Sequence, residues 1–320
     1  MLAELKFVMG AVAKKDFIPA LTHFAIENGT VRGYNGMIAL SSPIPFDIAC
    51  KPKGDSLVRA IANCSDTVQM SITPTGRLSI RSGKFKAFIE CVTGETPHVE
   101  PEGEFYDVDG DVLLNAVTTL APFIGDDASR AWSNGILFDG VSAFATNNIV
   151  LVEYWVGGTF PRPINIPRAA VREMVRIGEA PTKVQLSEGS VSFHYSDGRW
   201  LRTQLFSTEW PDLAKVLDAS HAETLPLEED LFCALTTLKP FTDKLGRIYF
   251  NGGIASTAPD GDLEGASYEV PSVQADGIYA IEMLQTLKGV AVRIDWSAYP
   301  APCHFYGAER LRGAIVGIRN

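Results

Sequence analysis

One order of elements recurs three times along the chain, and this repeat limits the possible folds more than any other feature. Each copy begins with an amphipathic helix, continues into a hairpin, and then places a second helix before a last set of strands. The copies follow one another at roughly 105 residues, a spacing well above that of solenoid repeats. This order predicts an α+β fold of three similar domains, at 1–100, 104–218 and 223–320.

The segment 203–217 indicates where the second copy ends. Leu201, Thr203 and Leu205 occupy alternate positions, which is the period of a β-strand. Trp210 and Pro211 then interrupt the strand, because proline has no N–H to donate to a ladder. A short apolar run leads from there into a linker, so an aromatic residue and a proline lie at the boundary between copies.

Hydrophobic periodicity places the elements of each copy. Amphipathic patterns predict helices at 3–13, 56–63, 110–123, 167–177, 228–239 and 277–288. Alternation and turn signals predict strands at 23–27, 67–73, 77–82, 85–91, 135–139, 143–155, 184–187, 191–195, 201–206, 247–250, 291–296, 303–306 and 314–318. Asp109 is a plausible N-cap, and Asn28-Gly29 and Asp139-Gly140 are hairpin turn signals.

Composition excludes several classes of protein. The net charge of −10 argues against a protein that coats DNA with its whole surface, which should be basic. No apolar run approaches the length of a membrane-spanning helix, and the N-terminus lacks the basic region of a signal peptide. Five cysteines without a C-x-x-C pair suggest neither a disulfide framework nor a zinc site. A reducing cytoplasm is the simplest location.

The predicted helix 167–177 carries a stripe of arginines. Arg168, Arg172 and Arg176 follow one another at every fourth position, which puts three guanidinium groups on one face. The other helices carry basic residues off their apolar faces, and acidic residues concentrate in loops and linkers. The stripe is either an ordinary solvated face or a surface for phosphates. An acidic molecule with basic helix faces is what a channel around DNA would need.

No pattern of catalytic or metal-binding residues occurs. The acidic clusters 107–111 and 260–262 lack the spacing and closing glutamate of a calcium loop, and turns or a helix cap explain them. Nucleotide-binding glycine loops and nucleophile motifs are missing as well. The histidines are scattered without ligand-like partners: His23, His98, His194, His221 and His304. The sequence therefore predicts no catalytic residue, metal or cofactor, and an enzyme is the poorer hypothesis.

Short stretches in all three copies resemble the bacterial sliding clamp, the beta subunit of DNA polymerase III. In the middle copy they are 133–139 (S-N-G-I-L-F-D), 144–148 (F-A-T-N-N), 166–168 (I-P-R) and 210–212 (W-P-D), in the order of the family's landmarks. Near the start, 15–21 (K-D-F-I-P-A-L) is similar to the family's R-x-x-L-P-I-L turn. At the end, 316–320 (V-G-I-R-N) is similar to its M-P-M-R-L tail, with Gly317 in place of the proline. The family's A-T-D-G-H-R-L is here A-T-N-N-I-V-L, a divergence that suggests a phage or mobile-element origin.

The resemblance implies a mechanism based on topology. Two copies of the chain, each with two helices per domain on one side of antiparallel sheets, would close head to tail into a homodimeric ring around double-stranded DNA. The ring would slide because its phosphate contacts are weak and independent of sequence. The implied partners are a DNA polymerase and the clamp loader ATPase. The residues that would face DNA are Lys6, Lys14, Lys15, Arg59, Arg168, Arg172, Arg176, Lys239 and Lys288.

The resemblance also implies two further sites. A hydrophobic groove between domains 2 and 3 would hold a short extended peptide of the polymerase, although plain core packing is the alternative for each of its residues. The residues that match this groove are Leu137, Thr146, Leu151, Pro211, Lys215, Val216, Val316 and Ile318. Phe241 and Leu245 are plausible apolar residues of the ring seam.

Two other classes remain open. One is a clamp-like protein that forms no ring and binds or sequesters host replication factors; its sign would be a monomer in solution. The other is an enzyme on a triplicated scaffold, whose sign would be a cleft with perturbed titratable groups.

Overall fold

Strand pairing gathers the chain into two units in the computed structural model, which describes residues 1–158, 160–218, 224–259, 263–308 and 310–319. The first unit is Met1–Leu114 with Ala169–Phe206, and the second is Asn115–Arg168 with Ser207–Asn320. The second predicted copy is shared between the two units, so the three-domain boundaries stay a prediction. His221, the cluster 260–262 and Asn320 lie outside the described residues.

A helix lies at each of the six places predicted for one. The α-helices are α1 (Leu2–Val8), α2 (Gly54–Ala62), α3 (Gly110–Leu120), α4 (Arg168–Ile177), α5 (Glu229–Leu238) and α6 (Ile281–Gln285). Short 3-10 turns lie at Met9–Ala11, Pro19–Thr22, Ala121–Phe123, Ala128–Ser133, Ala214–Leu217, Lys239–Phe241 and Trp296–Ala298. Within the described ranges, none of the helices has the length and apolar character needed to cross a membrane.

The strands are short and pair antiparallel throughout the described sheets. In the first half of the chain they are β1 (Ala25–Glu27), β2 (Thr30–Tyr34), β3 (Ile38–Pro43), β4 (Gln69–Ile72), β5 (Leu78–Ser82), β6 (Phe85–Ile89), β7 (Glu104–Tyr106), β8 (Gly135–Asp139), β9 (Ser142–Thr146), β10 (Val150–Trp155) and β11 (Ile164–Pro167). The second half holds β12 (Lys183–Leu186), β13 (Ser190–His194), β14 (Trp200–Gln204), β15 (Leu225–Pro226), β16 (Arg247–Asn251), β17 (Ile254–Ser256), β18 (Ser267–Glu269), β19 (Gly277–Ala280), β20 (Arg293–Ile294), β21 (Cys303–Tyr306) and β22 (Leu311–Ile315).

Two sheets build the first unit. Seven strands run in the order β1-β2-β3-β14-β13-β12-β7, and β4-β5-β6 form a separate sheet. In the larger sheet Leu40 of β3 lies opposite Leu201 of β14, which joins strands from the first and second copies. Both leucines are fully buried, so this junction belongs to the core and not to a loose contact.

The second unit repeats this plan with strands of the second and third copies. Eight strands run in the order β11-β8-β9-β10-β22-β21-β20-β15, and β18-β17-β16-β19 form the smaller sheet. Leu151 of β10 lies opposite Ala314 of β22. Pairing between copies therefore explains why the packing units do not coincide with the sequence repeats.

Local chemistry explains where α3 and α4 form. Asp109 Oδ1 accepts a hydrogen bond from the Val112 N–H at 3.0 Å, which confirms the predicted N-cap of α3. In α4, Ala170, Val171 and Met174 are buried on one face, as the 3.6-residue period requires.

Two predicted elements were wrong. The strand predicted at 143–155 is two strands, β9 and β10, because Asn148 adopts a positive φ of 71° and Asn147 Oδ1 accepts from the N–H groups of Ile149 and Val150. This is an asparagine turn of the kind in which the side chain replaces a backbone acceptor. The helix predicted at 277–288 begins as strand β19, which pairs with β16, and only Ile281–Gln285 is α-helical.

Candidate functional site

An apolar cavity of about 350 Å³ opens in the second unit. The β9–β10 turn, the segment after Trp210 and the end of β22 with the tail beyond it form its walls. Its lining residues are Arg130, Trp132, Thr146, Asn148, Ile149, Val150, Leu151, Pro211, Leu213, Val216, Ala314 and Val316. We call this cavity the groove.

Strand register and a small apolar cluster build the floor of the groove. Leu151 and Ala314 are cross-strand neighbours, and both are buried with Leu217. Phe144, Trp210, Leu213 and Val216 pack against this cluster. The floor therefore depends on one register between β10 and β22, because a slip of one residue would turn these side chains to the other face.

Polar contacts attach the segment after Trp210 to the sheet. His304 Nε2 lies 2.6 Å from the Val216 carbonyl oxygen, so this nitrogen carries the proton and donates, since a carbonyl can only accept. Arg312 Nη1 donates to the Leu217 carbonyl at 3.0 Å, and its Nε lies 2.5 Å from Glu153 Oε2. The 3-10 turn Ala214–Leu217 thus has backbone acceptors fixed by two side chains of β21 and β22.

An aromatic pair supports the side of the groove that Trp132 lines. The rings of Trp132 and Trp210 meet edge to face with centroids 5.1 Å apart. Arg130 lines the same side, 3.9 Å from an Asp127 carboxylate oxygen and about half exposed. The Thr146 hydroxyl already donates to the Val150 carbonyl and accepts from the Asn148 N–H. The groove therefore offers mostly apolar surface and one cation at its rim. This surface suits an apolar side chain of a ligand.

The structure brings together most of the residues predicted for the groove. Five of them line it: Thr146, Leu151, Pro211, Val216 and Val316. Leu137 in β8, Lys215 and Ile318 lie outside the lining, and Lys215 instead pairs with Asp212 at 2.5 Å. Sequence reasoning missed seven lining residues: Arg130, Trp132, Asn148, Ile149, Val150, Leu213 and Ala314. The sequence pattern held a signal for Ile149 and Val150 alone, because these apolar residues directly precede Leu151.

The basic residues of the first unit have different environments. Lys6, Lys14 and Lys15 are exposed, and the last two adjoin the fully exposed Phe17. Arg59 pairs with Asp55 at 3.0 Å within α2.

The three arginines of α4 make different contacts. Arg176 donates from Nη2 to the Phe7 carbonyl at 2.7 Å and from Nη1 to the Lys6 carbonyl at 3.3 Å, and its Nε lies 2.6 Å from Glu173. It therefore satisfies carbonyls in the last turn of α1. Arg172 is exposed, and it has no ion-pair partner among the described residues.

The basic residues of the second unit are paired. Arg168 lies 3.8 Å from Asp126 and 3.5 Å from the Gly125 carbonyl. Lys239 lies 3.1 Å from Glu282, and Lys288 lies 2.5 Å from Glu229. The hydrogen bond to Glu229 raises the pKa of the Lys288 ammonium. These exposed ion pairs reduce the charge available to an external phosphate.

Phe241 and Leu245 lie just before β16 and are among the most exposed large apolar residues, at 60% and 70%. They are free to meet another surface, as a seam residue must be.

Two cysteines with perturbed pKa values line a cavity of the first unit, and burial is the main cause of both shifts. A cavity of about 540 Å³ in the first unit is lined in part by Cys50, Cys91 and His98. Burial raises the pKa of Cys50 to about 12 and also raises that of Cys91, so both thiols stay protonated and weakly nucleophilic. Over the described ranges, no cluster of three or more potential metal ligands is present.

Comparison with known proteins locates the fold. No protein-family model matches the sequence, and no curated protein matches it either. Solved structures match over 100% of this chain and 97% of theirs. A beta sliding clamp of Caulobacter crescentus, with polyethylene glycol bound to a proposed beta-motif tethering region, has a TM-score of 0.83 at 17% identity. The DnaN sliding clamp of Bartonella birtlesii, bound to griselimycin, has a TM-score of 0.86 at 17% identity. The sliding clamp of Bacillus subtilis has a TM-score of 0.83 at 14% identity.

The chain therefore has the fold of the bacterial sliding clamps. More particularly, these neighbours are beta subunits of DNA polymerase III, and the likeness extends through all three predicted copies. The fold predicted from the sequence motifs is confirmed.

Proposed function

We propose that this protein is a sliding clamp, a non-enzymatic processivity factor that encircles double-stranded DNA in the cytoplasm and tethers a DNA polymerase. The observation that carries the proposal is the groove: five of the eight residues expected from the family motifs line one apolar cavity. Chance placement of core residues would not gather side chains from β9, β10, the 3-10 turn and the tail around one opening. A clamp loader ATPase would open the ring.

Weak electrostatic contact supports the sliding part of the proposal. Arg172, Lys6, Lys14 and Lys15 are exposed cations of the first unit without ion-pair partners in the described ranges. On a chain with a net charge of −10, local cations attract phosphates while the remaining surface repels them. Affinity would then come from encirclement and not from tight binding, which would stall movement.

Two complementary edges support ring closure by a second copy. In the first unit the edge strand β6 carries exposed Lys86 and Phe88, and Arg81 and Lys84 are exposed beside it. In the second unit the edge strand β18 is exposed over its whole length and includes Tyr268 and Glu269. An open edge of this kind invites pairing with another strand.

The charges of these edges have opposite signs. Exposed Glu264 and Glu269 mark the β18 edge, and exposed Lys84 and Lys86 mark the β6 edge. A basic edge on one copy and an acidic edge on the next make a head-to-tail contact, which closes a ring when the rotation allows it. Phe241 and Leu245 would add apolar area at the seam.

Charge reversal tests the seam. We expect Lys84→Glu with Lys86→Glu, and separately Glu264→Lys with Glu269→Lys, to be monomers by light scattering, because each brings like charges together. An equimolar mixture should form a dimer of twice the 34.7 kDa chain, since both seams of the mixed ring are again complementary. Wild-type protein that stays monomeric at every concentration would remove encirclement and favour the alternative, a clamp-like protein that sequesters host replication factors.

A further inference from the structure

The tail of the chain is fixed on two sides. The Val316 N–H donates to the Ile149 carbonyl at 2.9 Å, which extends the pairing of β10 with β22 beyond the last residue of the strand. The Ile318 N–H donates to the Ile278 carbonyl of β19 at 2.7 Å. Val316 makes the first of these attachments, two residues before the second, and it lines the groove. Its position there depends on both attachments.

A tyrosine secures the second attachment. The Tyr299 hydroxyl donates to the Ile318 carbonyl at 2.8 Å, so Ile318 is bound through both its N–H and its C=O. The Tyr299 ring lies against the ring of Tyr279, with centroids 5.8 Å apart. Tyr279 is almost fully buried and its hydroxyl contacts Cys303 Sγ at 3.1 Å. This support keeps the Tyr299 ring from moving back into the core.

The same ring occupies the space in which a side chain at position 317 would begin. A Cβ added to Gly317 would lie 2.5 and 2.6 Å from the Tyr299 ring carbons Cε2 and Cδ2, and 3.1 Å from the Ile278 carbonyl oxygen. Real Cβ contacts essentially never fall below 3.0 Å, so glycine alone fits without displacing the ring. Glycine thus stands at position 317, where the family has proline, and the Tyr299 ring occupies the space beside it.

We propose that Tyr299 and Gly317 form a clasp that holds Val316 in the wall of the groove and so sets the affinity of the groove for its ligand. Tyr299 is a positioning residue in this proposal, because it touches the tail and is not part of the groove lining. The inference rests on the proposed function, in which the groove binds a peptide of the polymerase.

Four variants test the clasp: Tyr299→Phe, Tyr299→Ala, Gly317→Ala, and the double variant Tyr299→Ala with Gly317→Ala. Two quantities are measured on the full chain: amide hydrogen exchange at residues 316 and 318, and affinity for griselimycin. This compound is bound to the similar clamps of Bartonella birtlesii and Pseudomonas aeruginosa and is the probe of the groove here. Tyr154→Phe is the control, since its hydroxyl has no hydrogen bond in the described structure. A melting curve for each variant checks that the chain is folded.

We expect Tyr299→Phe to speed amide exchange at residue 318 and to weaken the binding of griselimycin by about two- to tenfold, which is the effect of one lost hydrogen bond. Gly317→Ala should weaken binding on the order of tenfold, because the ring must move. In the double variant, Gly317→Ala should weaken binding no further than Tyr299→Ala does alone, because the space that the Tyr299 ring occupied is then empty.

The two measurements separate the clasp from the function of the groove. Equal effects of Gly317→Ala with and without the Tyr299 ring, or unchanged exchange at 316 and 318 in Tyr299→Phe, would overturn the clasp. If the wild-type chain does not bind griselimycin while exchange still follows the expected cycle, the clasp holds the tail but its role in ligand affinity is refuted. That result would count against the proposed groove function itself.

Discussion

The groove of the second unit was expected from the family resemblance and the basic surface of the first unit from residue types and spacing, and the two regions differ in how well the sequence locates a side chain. Groove residues such as Leu151 and Val216 are short and apolar, and strand register or a tight turn determines where they point. Arg172 and Arg176 have the same helical spacing and different roles, because a long side chain turns toward the nearest acceptor. Spacing determines the face of a helix; the neighbours determine what a charge on that face can do.

The largest effect should come from the floor of the groove. Leu217 is 2% exposed and packs with Leu151 and Ala314. We expect Leu217→Ala to lower the free energy of unfolding by about 2–4 kcal/mol, because it leaves a cavity in a closely packed cluster. Urea unfolding measures this, with Leu263→Ala as the control, since Leu263 is 58% exposed and should change stability little. A small loss of stability in Leu217→Ala would mean that the cluster around Leu217 does not hold the floor of the groove.

The next effect distinguishes the two arginines of α4. We expect Arg176→Ala to destabilise the protein by about 1–2 kcal/mol, because the carbonyls of Lys6 and Phe7 lose charge-assisted donors. Arg172→Ala should leave the unfolding free energy within about 0.5 kcal/mol, since its side chain is solvated.

DNA binding should show the reverse order. Arg172→Ala should reduce the slope of log affinity against log salt by about 0.9 for the lost phosphate contact, and Arg176→Ala should leave that slope unchanged. Titrations with labelled duplex DNA at several salt concentrations measure both. A reduced slope in Arg176→Ala, with no loss of stability, would restore the three-arginine stripe and contradict the roles assigned here.

The sequence was sufficient for the fold class and for much of the groove, and the reasons are physical. Family motifs lie on the buried strands β8 and β9, where the alternation of side chains leaves little freedom. Trp132 was missed because it lies in a 3-10 turn without an amphipathic period. Ala314 was missed because its role depends on a strand partner about 160 residues away, which no local pattern encodes.

The smallest effect should come from a carboxylate in the first unit, whose contribution to stability depends on its charge and not on burial. Glu102 Oε1 accepts from the Ser190 hydroxyl at 2.9 Å and from Arg202 Nη2 at 2.5 Å. These contacts, the serine first, lower the pKa of Glu102 from its ordinary value of 4.5. Because the folded state holds the carboxylate ionised, the unfolded chain takes up a proton more readily as the pH falls. The contribution is therefore complete above pH 4.5 and is lost below it.

Glu102→Gln should remove this contribution, and the side chain is 55% exposed, so we expect a difference of about 0.5 kcal/mol or less at pH 7. Unfolding free energies of wild type and variant, measured by urea between pH 3 and pH 7, should converge as the pH falls through the folded-state pKa. A gap that stayed constant across this range would show that the glutamine disturbs packing and that ionisation of Glu102 contributes nothing. The contribution of the Glu102 contacts to stability would then be as independent of pH as that of the apolar floor of the groove.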